Sequence, residues 1–245
     1  GLRVVPGAGV GLYNIGTNYI QNGRYQDGLP LLEASLTFPS SQVGTSTYAN
    51  CAITYERMFD FDRAELIARE GLLRAPHEPN FYAILIDALR RSDRLAEAEK
   101  LVPRGLASLD AGRQRQHGGA GACLLDCLFT LAQAGRHADV VKVAKQHAAL
   151  LNANMHAVIA MSQVALDRTE AARASNKLAS HANHPVAHHL QAVMALQGRR
   201  PDKRAAIKAL ERLKSEAYPE WHWIRADPNL AALAGEPAFR ALGEA

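Results

Sequence analysis

Four histidines, His181, His184, His188 and His189, are the only histidine cluster in the chain. His184 and His188 stand four apart, a spacing that sets two imidazoles on one helix face and suits zinc. Pro185 lies between them, and no Cys, Asp or Glu is interleaved to complete a coordination shell. The pattern reads as a helix boundary with solvated imidazoles; a metal or small-molecule site at 181–189 is the lesser alternative. Cys123 and Cys127, also four apart, and Cys51 cannot make a disulfide framework and read as buried thiols. Pro6-Gly7-Ala8-Gly9-Val10-Gly11 has the look of a dinucleotide-binding turn, but Leu12 stands where the fingerprint continues, so a leader is the better reading. The G-x-S-x-G elbow, the H-E-x-x-H helix and the G-x-x-x-x-G-K-[ST] loop are absent. The sequence makes no positive case for an enzyme, a cofactor or a bound metal.

The elements that hold these residues follow from composition. The 245 residues carry a net charge of +4, with 48% hydrophobic and 6% aromatic residues. So apolar a chain is not disordered, and alanine in place of aromatic and β-branched residues favours packed helices over sheets. No apolar run approaches the roughly 18 residues of a membrane span. A charge of +4 is a weak field for nucleic acid. Its densest clusters, Arg90–Arg94, Arg113–Arg115 and Arg199–Arg204, have the character of turns between helices, so nucleic acid is disfavoured. The chain begins at Gly1 and not Met, as a processed or excised product would. The few cysteines favour the cytoplasm over the periplasm.

A spaced pattern recurs along the chain. Leu12, Ile15, Gly16, Tyr19, Gly23, Gly28 and Ser35 return 36 residues later as Tyr48, Cys51, Ala52, Tyr55, Ala64, Ala68, Gly71 and a closing Pro76. After 34 more come Tyr82, Leu85, Ile86, Leu89, Ala98, Val102 and Gly105. After a further 42 come Leu124, Cys127, Leu128, Leu131, Gly135, Val140, Ala144 and His147, with the extra residues near 113–120 lengthening a helix or forming a loop. Apolar residues at i, i+3, i+4 and i+7 stripe each first helix, and small residues opposite admit a second helix closely. One pair cannot bury both faces, so neighbours must stack.

This pattern resembles the tetratricopeptide repeat, a helix–turn–helix of 34 residues. The resemblance implies an all-α, right-handed superhelical solenoid of about six antiparallel pairs plus a closing segment. Residues 1–9 are then a leader and 10–219 the array, with repeats at 9–42, 45–78, 79–112 and 121–152. Degenerate pairs follow at 153–184 and 185–219, and 220–245 is similar to the closing segment of many bacterial proteins of this kind. Trp221 and Trp223 are expected to help cover the end of the stack. Pro30 and Pro103 fall within second helices, at a cost of roughly 3 kcal/mol each, so bends or late helix starts are expected there.

The resemblance also implies a concave face of first helices that grips a peptide or a partner's helix. Its residues would be Tyr13, Asn14, Thr17, Ile20 and Gln21; Ala49, Asn50, Ile53, Glu56 and Arg57; Asn80, Ala83, Asp87, Arg90 and Arg91; and Leu125, Phe129 and Gln133. A subfamily that clamps a C-terminal carboxylate needs Lys, Asn, Lys and Arg where this chain has Tyr13, Thr17, Asn80 and Ile84, and only Asn50 agrees. Arg57, Arg90 and Arg91 would favour an acidic partner segment. The expectation is a non-catalytic protein-interaction scaffold; the alternative is a recruiting domain excised from a larger bacterial enzyme or sensor. Oligomeric state stays open.

Overall fold

The computed structural model describes residues 7–39, 44–113, 119–179, 186–196, 200–215, 224–225 and 227–242. Among them all regular structure is helical. The chain divides into two compact units, residues 1–127 and 128–245. Each is taken by itself.

The first unit stacks three antiparallel pairs: α1 (Ala8–Gln21) on α2 (Tyr25–Leu36), α3 (Thr45–Arg57) on α4 (Phe61–Arg74), and α5 (Pro79–Arg91) on α6 (Leu95–Arg113). It ends within α7 (Ala120–Gln133). α2 packs on α3 and α4 on α5, so each pair shares its core with the next. Helix–helix approach depends on missing side chains. A Cβ on Gly28 would stand 2.7 Å from both the Gly16 carbonyl oxygen and Ile20 Cδ1. Gly71 lies directly against the Phe81 ring, and a Cβ on Gly105 would meet Cys127 Sγ at 3.0 Å. Ser35 Oγ donates to the Gly9 carbonyl at 2.9 Å, a buried bond that ties α2 back to α1.

In the second unit, α8 (His137–Gln146) and a short 3₁₀ turn (Ala148–Leu150) lead into α9 (Ala153–Ala165), which packs on α8 and on α10 (Thr169–Leu178). α11 (Val186–Leu196) packs on α9 and pairs with α12 (Lys203–Ser215). The 3₁₀ segment Pro228–Leu233 then lies on α11, and α13 (Pro237–Leu242) on α12. Ile224, Leu230, Leu233 and Phe239 thereby close one core with Val193, Leu196, Leu210 and Leu213.

The turns reveal the register. Gly23, Phe59, Asp93, Gly135 and Asp167 all have left-handed φ, from 56° to 75°. Each is followed by a residue whose amide bonds five positions back: Arg24 to Tyr19, Asp60 to Tyr55, Arg94 to Leu89, Arg136 to Leu131 and Arg168 to Gln163, at 2.8–2.9 Å. This is the Schellman closure, which satisfies the last carbonyls of a helix and reverses the chain. The same device therefore ends α1, α3, α5, α7 and α9. The residue after the turn also spends its charge locally: Arg24 pairs with Asp27, Arg94 with Glu97 and Arg136 with Asp139, at 2.7–2.8 Å. Asp60, Asn152 and Asp202 cap α4, α9 and α12 through their side-chain oxygens.

Three expectations change. Pro30 and Pro103 sit inside continuous helices that start well before them; both are exposed, so their rings project outward. Ile15, a stripe position, is 54% exposed, whereas its counterparts Cys51, Leu85, Cys127 and Val158 are buried. The difference is positional, since α1 is the first described helix and no described helix precedes it to cover that side. His189 is no solvated imidazole: it is fully buried, with Nε2 2.6 Å from Asp227 Oδ2. His181, His184, Pro185, Trp221 and Trp223 lie outside the described residues, as do residues 1–6 of the leader.

Candidate functional site

The sequence-predicted binding residues of the N-terminal unit lie on α1, α3, α5 and the start of α7. α1 and α3 meet through polar groups: Asn50 Nδ2 donates to Tyr13 Oη at 3.3 Å and to Thr17 Oγ1 at 3.4 Å. All three side chains are half-buried, while Asn14 and Gln21 are exposed. Ile53 is half-buried and Arg57 exposed, with the Arg57 guanidinium 5.7 Å from the Tyr25 ring. Asn80 packs against the Gly119 backbone just before α7. Ala49 and Ala83 are buried, and Leu125 is half-buried.

Beside these two alanines, three larger predicted residues are inside the protein. Ile20 fills the notch above Gly28 in the α1–α2 core, because α1 rests on Gly28 at that point. Phe129 is among the largest fully buried side chains, and Gln133 beyond it is half-buried; both belong to the second unit. Arg90 is the third, with a side chain only 3% exposed.

Arg90 belongs to a charged group spanning three first helices. Its guanidinium bonds to Asp87 on α5 and lies 3.7 Å from Asp126 on α7. Arg91 reaches Asp87 Oδ2 at 3.4 Å and stacks 4.6 Å from the Phe61 ring and 5.4 Å from the Phe59 ring. Phe59 is 59% exposed and meets Phe61 edge-on, with centroids 6.2 Å apart. Two of the three arginines expected to attract acidic groups, Arg90 and Arg91, are thus already held by carboxylates of this chain. Glu56 on α3 completes the group. Its Oε1 is buried, with no hydrogen-bond partner among the described residues. Burial, and then Asp87 and Asp126, push its pKa up to about 9, against Arg91 and Arg90. At neutral pH Glu56 is therefore an uncharged acid. It was legible only as one more groove position; its environment depends on Asp126, from which α4, α5 and α6 separate it in sequence.

The other reactive side chains are built into the core. Cys51, Cys123 and Cys127 are buried free thiols, and burial, then Glu33 and Glu70, push Cys51 up to about 12. In the second unit, His137 Nδ1 lies 3.3 Å from Ser162 Oγ, but Ser162 is fully buried and out of reach of a substrate. His189 and Asp227 join α11 to the closing segment, and Asp227 Oδ1 also accepts from the Asn229 amide at 2.8 Å. Among the described residues no group of three His, Cys, Asp or Glu side chains could hold a metal ion. Nor is any helix there long and apolar enough to cross a membrane.

No family model matches the sequence, and no curated protein does. Solved structures do match. The chain is similar to pilF of Pseudomonas aeruginosa, with a TM-score of 0.62 and 14% identity, covering 89% of this chain and 96% of that one. It is similar to TTC0263, a thermophilic TPR protein of Thermus thermophilus, with a TM-score of 0.51 and 20% identity over 70% of this chain and 90% of that one. A point mutant of MamA matches with a TM-score of 0.50 and 19% identity, over 70% of this chain and 90% of that one. With its helix pairs and repeated turn closures, the chain has the tetratricopeptide-like fold.

Proposed function

We propose that the protein is a non-catalytic interaction scaffold whose N-terminal unit binds an extended segment of a partner protein across α1, α3 and α5. The observation that carries this reading is the half-buried polar row Tyr13, Thr17 and Asn50, continued by Ile53, Glu56, Asp87 and Arg91. Such a row offers hydrogen bonds to a peptide backbone and an apolar floor at Ile53. Side chains held by neighbouring helices lose little freedom when a ligand arrives, which favours binding. An acidic stretch of the partner would find Arg57 as the exposed arginine here, since Arg90 and Arg91 are engaged with Asp87.

The test is selection of an unbiased phage-displayed peptide library on the purified protein, with affinities of enriched peptides measured by fluorescence anisotropy. Enriched peptides should lose at least tenfold in affinity against Ile53→Glu with Asn50→Ala, while the variant keeps its far-UV circular dichroism. No enrichment on the parent protein, or peptides indifferent to these substitutions, would overturn the reading.

A further inference from the structure

We propose that α12 and α13 form, in the second unit, a docking groove for an acidic segment of a partner protein, one that carries two carboxylates about a helical turn apart. The inference goes beyond the face on α1, α3 and α5 and does not depend on it. It starts from where the charge sits. On α12, Lys203, Arg204, Lys208, Arg212 and Lys214 stand against the single Glu211, a net charge of +4 on one helix. That equals the net charge of the whole chain, so everything else balances to zero. α4 and α6, second helices of their pairs as α12 is, each set three cations against three carboxylates, and α4 pairs Arg69 with Glu65 along its own length. α12 has no such complement. A field this concentrated favours an anionic partner.

Packing turns that charge outward beside a concavity. Ala206, Ala209, Leu210 and Leu213 join the core, while Lys203, Arg204 and Lys208 are exposed. α13 is tied to α12 at two places: Lys203 Nζ donates to Glu236 Oε1 at 2.8 Å, and Lys214 Nζ to the Ala241 carbonyl at 3.4 Å. Beside the first of these lies a groove of about 570 Å³, lined also by Arg204, Ile207, Lys208 and Glu211 of α12 and by Ala238 of α13. Lys203 is engaged by Glu236, whereas Arg204 and Lys208 make no ion pair among the described residues. Four apart on one helix, they sit roughly 6 Å apart. Alternate side chains of an extended strand have about that spacing. Ile207, half-buried beside them, offers an apolar contact. Exposed ion pairs contribute little singly, so binding needs both carboxylates and the apolar contact, and it must weaken as salt is added. A nucleic-acid backbone fits less well, because Glu211 and Glu236 line the same groove and no aromatic ring there can stack on a base. A membrane surface fits less well too, because the apolar face of α12 is used in the core.

The experiment uses the full chain and fluorescein-labelled synthetic peptides in which a leucine stands between two Asp or Glu residues, with lysine-for-acid versions as controls. Fluorescence anisotropy should show the acidic peptides binding at least tenfold more tightly than the lysine versions. Arg204→Glu with Lys208→Glu, both exposed, should keep the far-UV circular dichroism and lose that binding at least tenfold, while Arg57→Glu in the first unit leaves it unchanged. In NMR spectra of the parent chain, the amide signals displaced by the peptide should be those of 203–211 and 236–238, a readout that stands even if the double variant fails to fold. Acidic peptides that bind no better than their lysine versions, indifference to the charge reversal, or displaced signals confined to α1, α3 and α5 would overturn the groove. So would tighter binding of a single-stranded oligonucleotide than of any acidic peptide. The reading of the N-terminal unit survives each of these results and falls only to its own test.

Discussion

The contact between α1 and α2 can be tested with one methyl group placed at three points. Gly11 and Gly16 lie in α1 and Gly28 in α2. Exchanging glycine for alanine in a helix gains roughly 0.8–1.0 kcal/mol from backbone entropy alone. At Gly11 a new Cβ meets nothing within 4 Å, so that gain should appear undiminished. At Gly16 the nearest atoms would be the Gly28 carbonyl oxygen and Leu32 Cδ2, both at 3.0 Å, and a small shift of Leu32 should leave the two effects near balance. At Gly28 the Gly16 carbonyl oxygen would be 2.7 Å away, well inside the 3.4 Å at which ordinary contact begins. A backbone atom cannot swing aside, so α1 and α2 must separate. Overpacking of this kind costs about 1–3 kcal/mol, which exceeds the propensity gain. Gly28→Ala should therefore lose a net of up to ~2 kcal/mol, a fall of up to about 4–8 °C in melting temperature for a chain of this size. Urea unfolding followed by far-UV circular dichroism measures all three. If Gly28→Ala proved as stable as Gly11→Ala, the close glycine-to-glycine approach would be refuted.

Other outcomes follow from single groups. Cys51 should resist thiol reagents at pH 8 in the folded protein and react fully in denaturant, because burial pushes its pKa up to about 12; rapid native labelling would contradict its burial. Tyr55, bonded to Glu33, is likewise pushed up to about 12, first by burial and then by that bond, so ultraviolet titration should find a tyrosine ionising well above the ordinary value, and Glu33→Gln should lower it. Burial raises the Asp227 carboxyl, but hydrogen bonds from His189 and Asn229 outweigh it, and its pKa falls below the ordinary value. Its stabilisation is therefore whole above the unfolded carboxyl's pKa of roughly 3.9 and is lost as pH falls through the lower folded value. Asp227→Asn should remove that acid dependence and speed proteolysis within the closing segment; an unchanged acid unfolding profile would count against the pair.

What could be read from the sequence was whatever repeats with a fixed residue type. The small residues at Gly28, Gly71 and Gly105 were legible because a helix approaching this closely leaves room for little else. The turn was legible at Gly23 and Gly135, where left-handed backbone selects glycine, and invisible at Asp93, Asp167 and especially Phe59, where other residues adopt the same conformation. A bulky residue there carries strain of order 1–2 kcal/mol, and at Phe59 the ring is turned against Phe61 and Arg91. The solvated reading of His189 failed for a different reason. Its partner Asp227 lies 38 positions away in a segment with no repeat register, so periodicity carried no information about their meeting.

The candidate site shows the same division more sharply. A period of 3.6 groups Asn50, Ile53 and Glu56 along α3 and Asp87 and Arg91 along α5, and that grouping can be read from the sequence. Their electrostatic roles cannot, because charge in a repeat array is decided between helices. Counted along the chain, Arg90 and Arg91 look like a basic patch ready for an acidic ligand. Counted in space, Arg90 lies between two aspartates and Arg91 lies on two rings, while Glu56 Oε1 is buried with no hydrogen-bond partner among the described residues. The engagement of Arg90 therefore turns on one residue, Asp126, whose position next to Arg90 depends on how α7 follows the long α6. A single substitution isolates that argument. Asp126→Asn removes one of the two carboxylates that raise Glu56, so Glu56 should ionise at a lower pH, which NMR titration of its side-chain carboxyl measures. If that titration were unmoved, Asp126 would have no part in the balance, and the electrostatics of this face would have to be rebuilt from α3 and α5 alone.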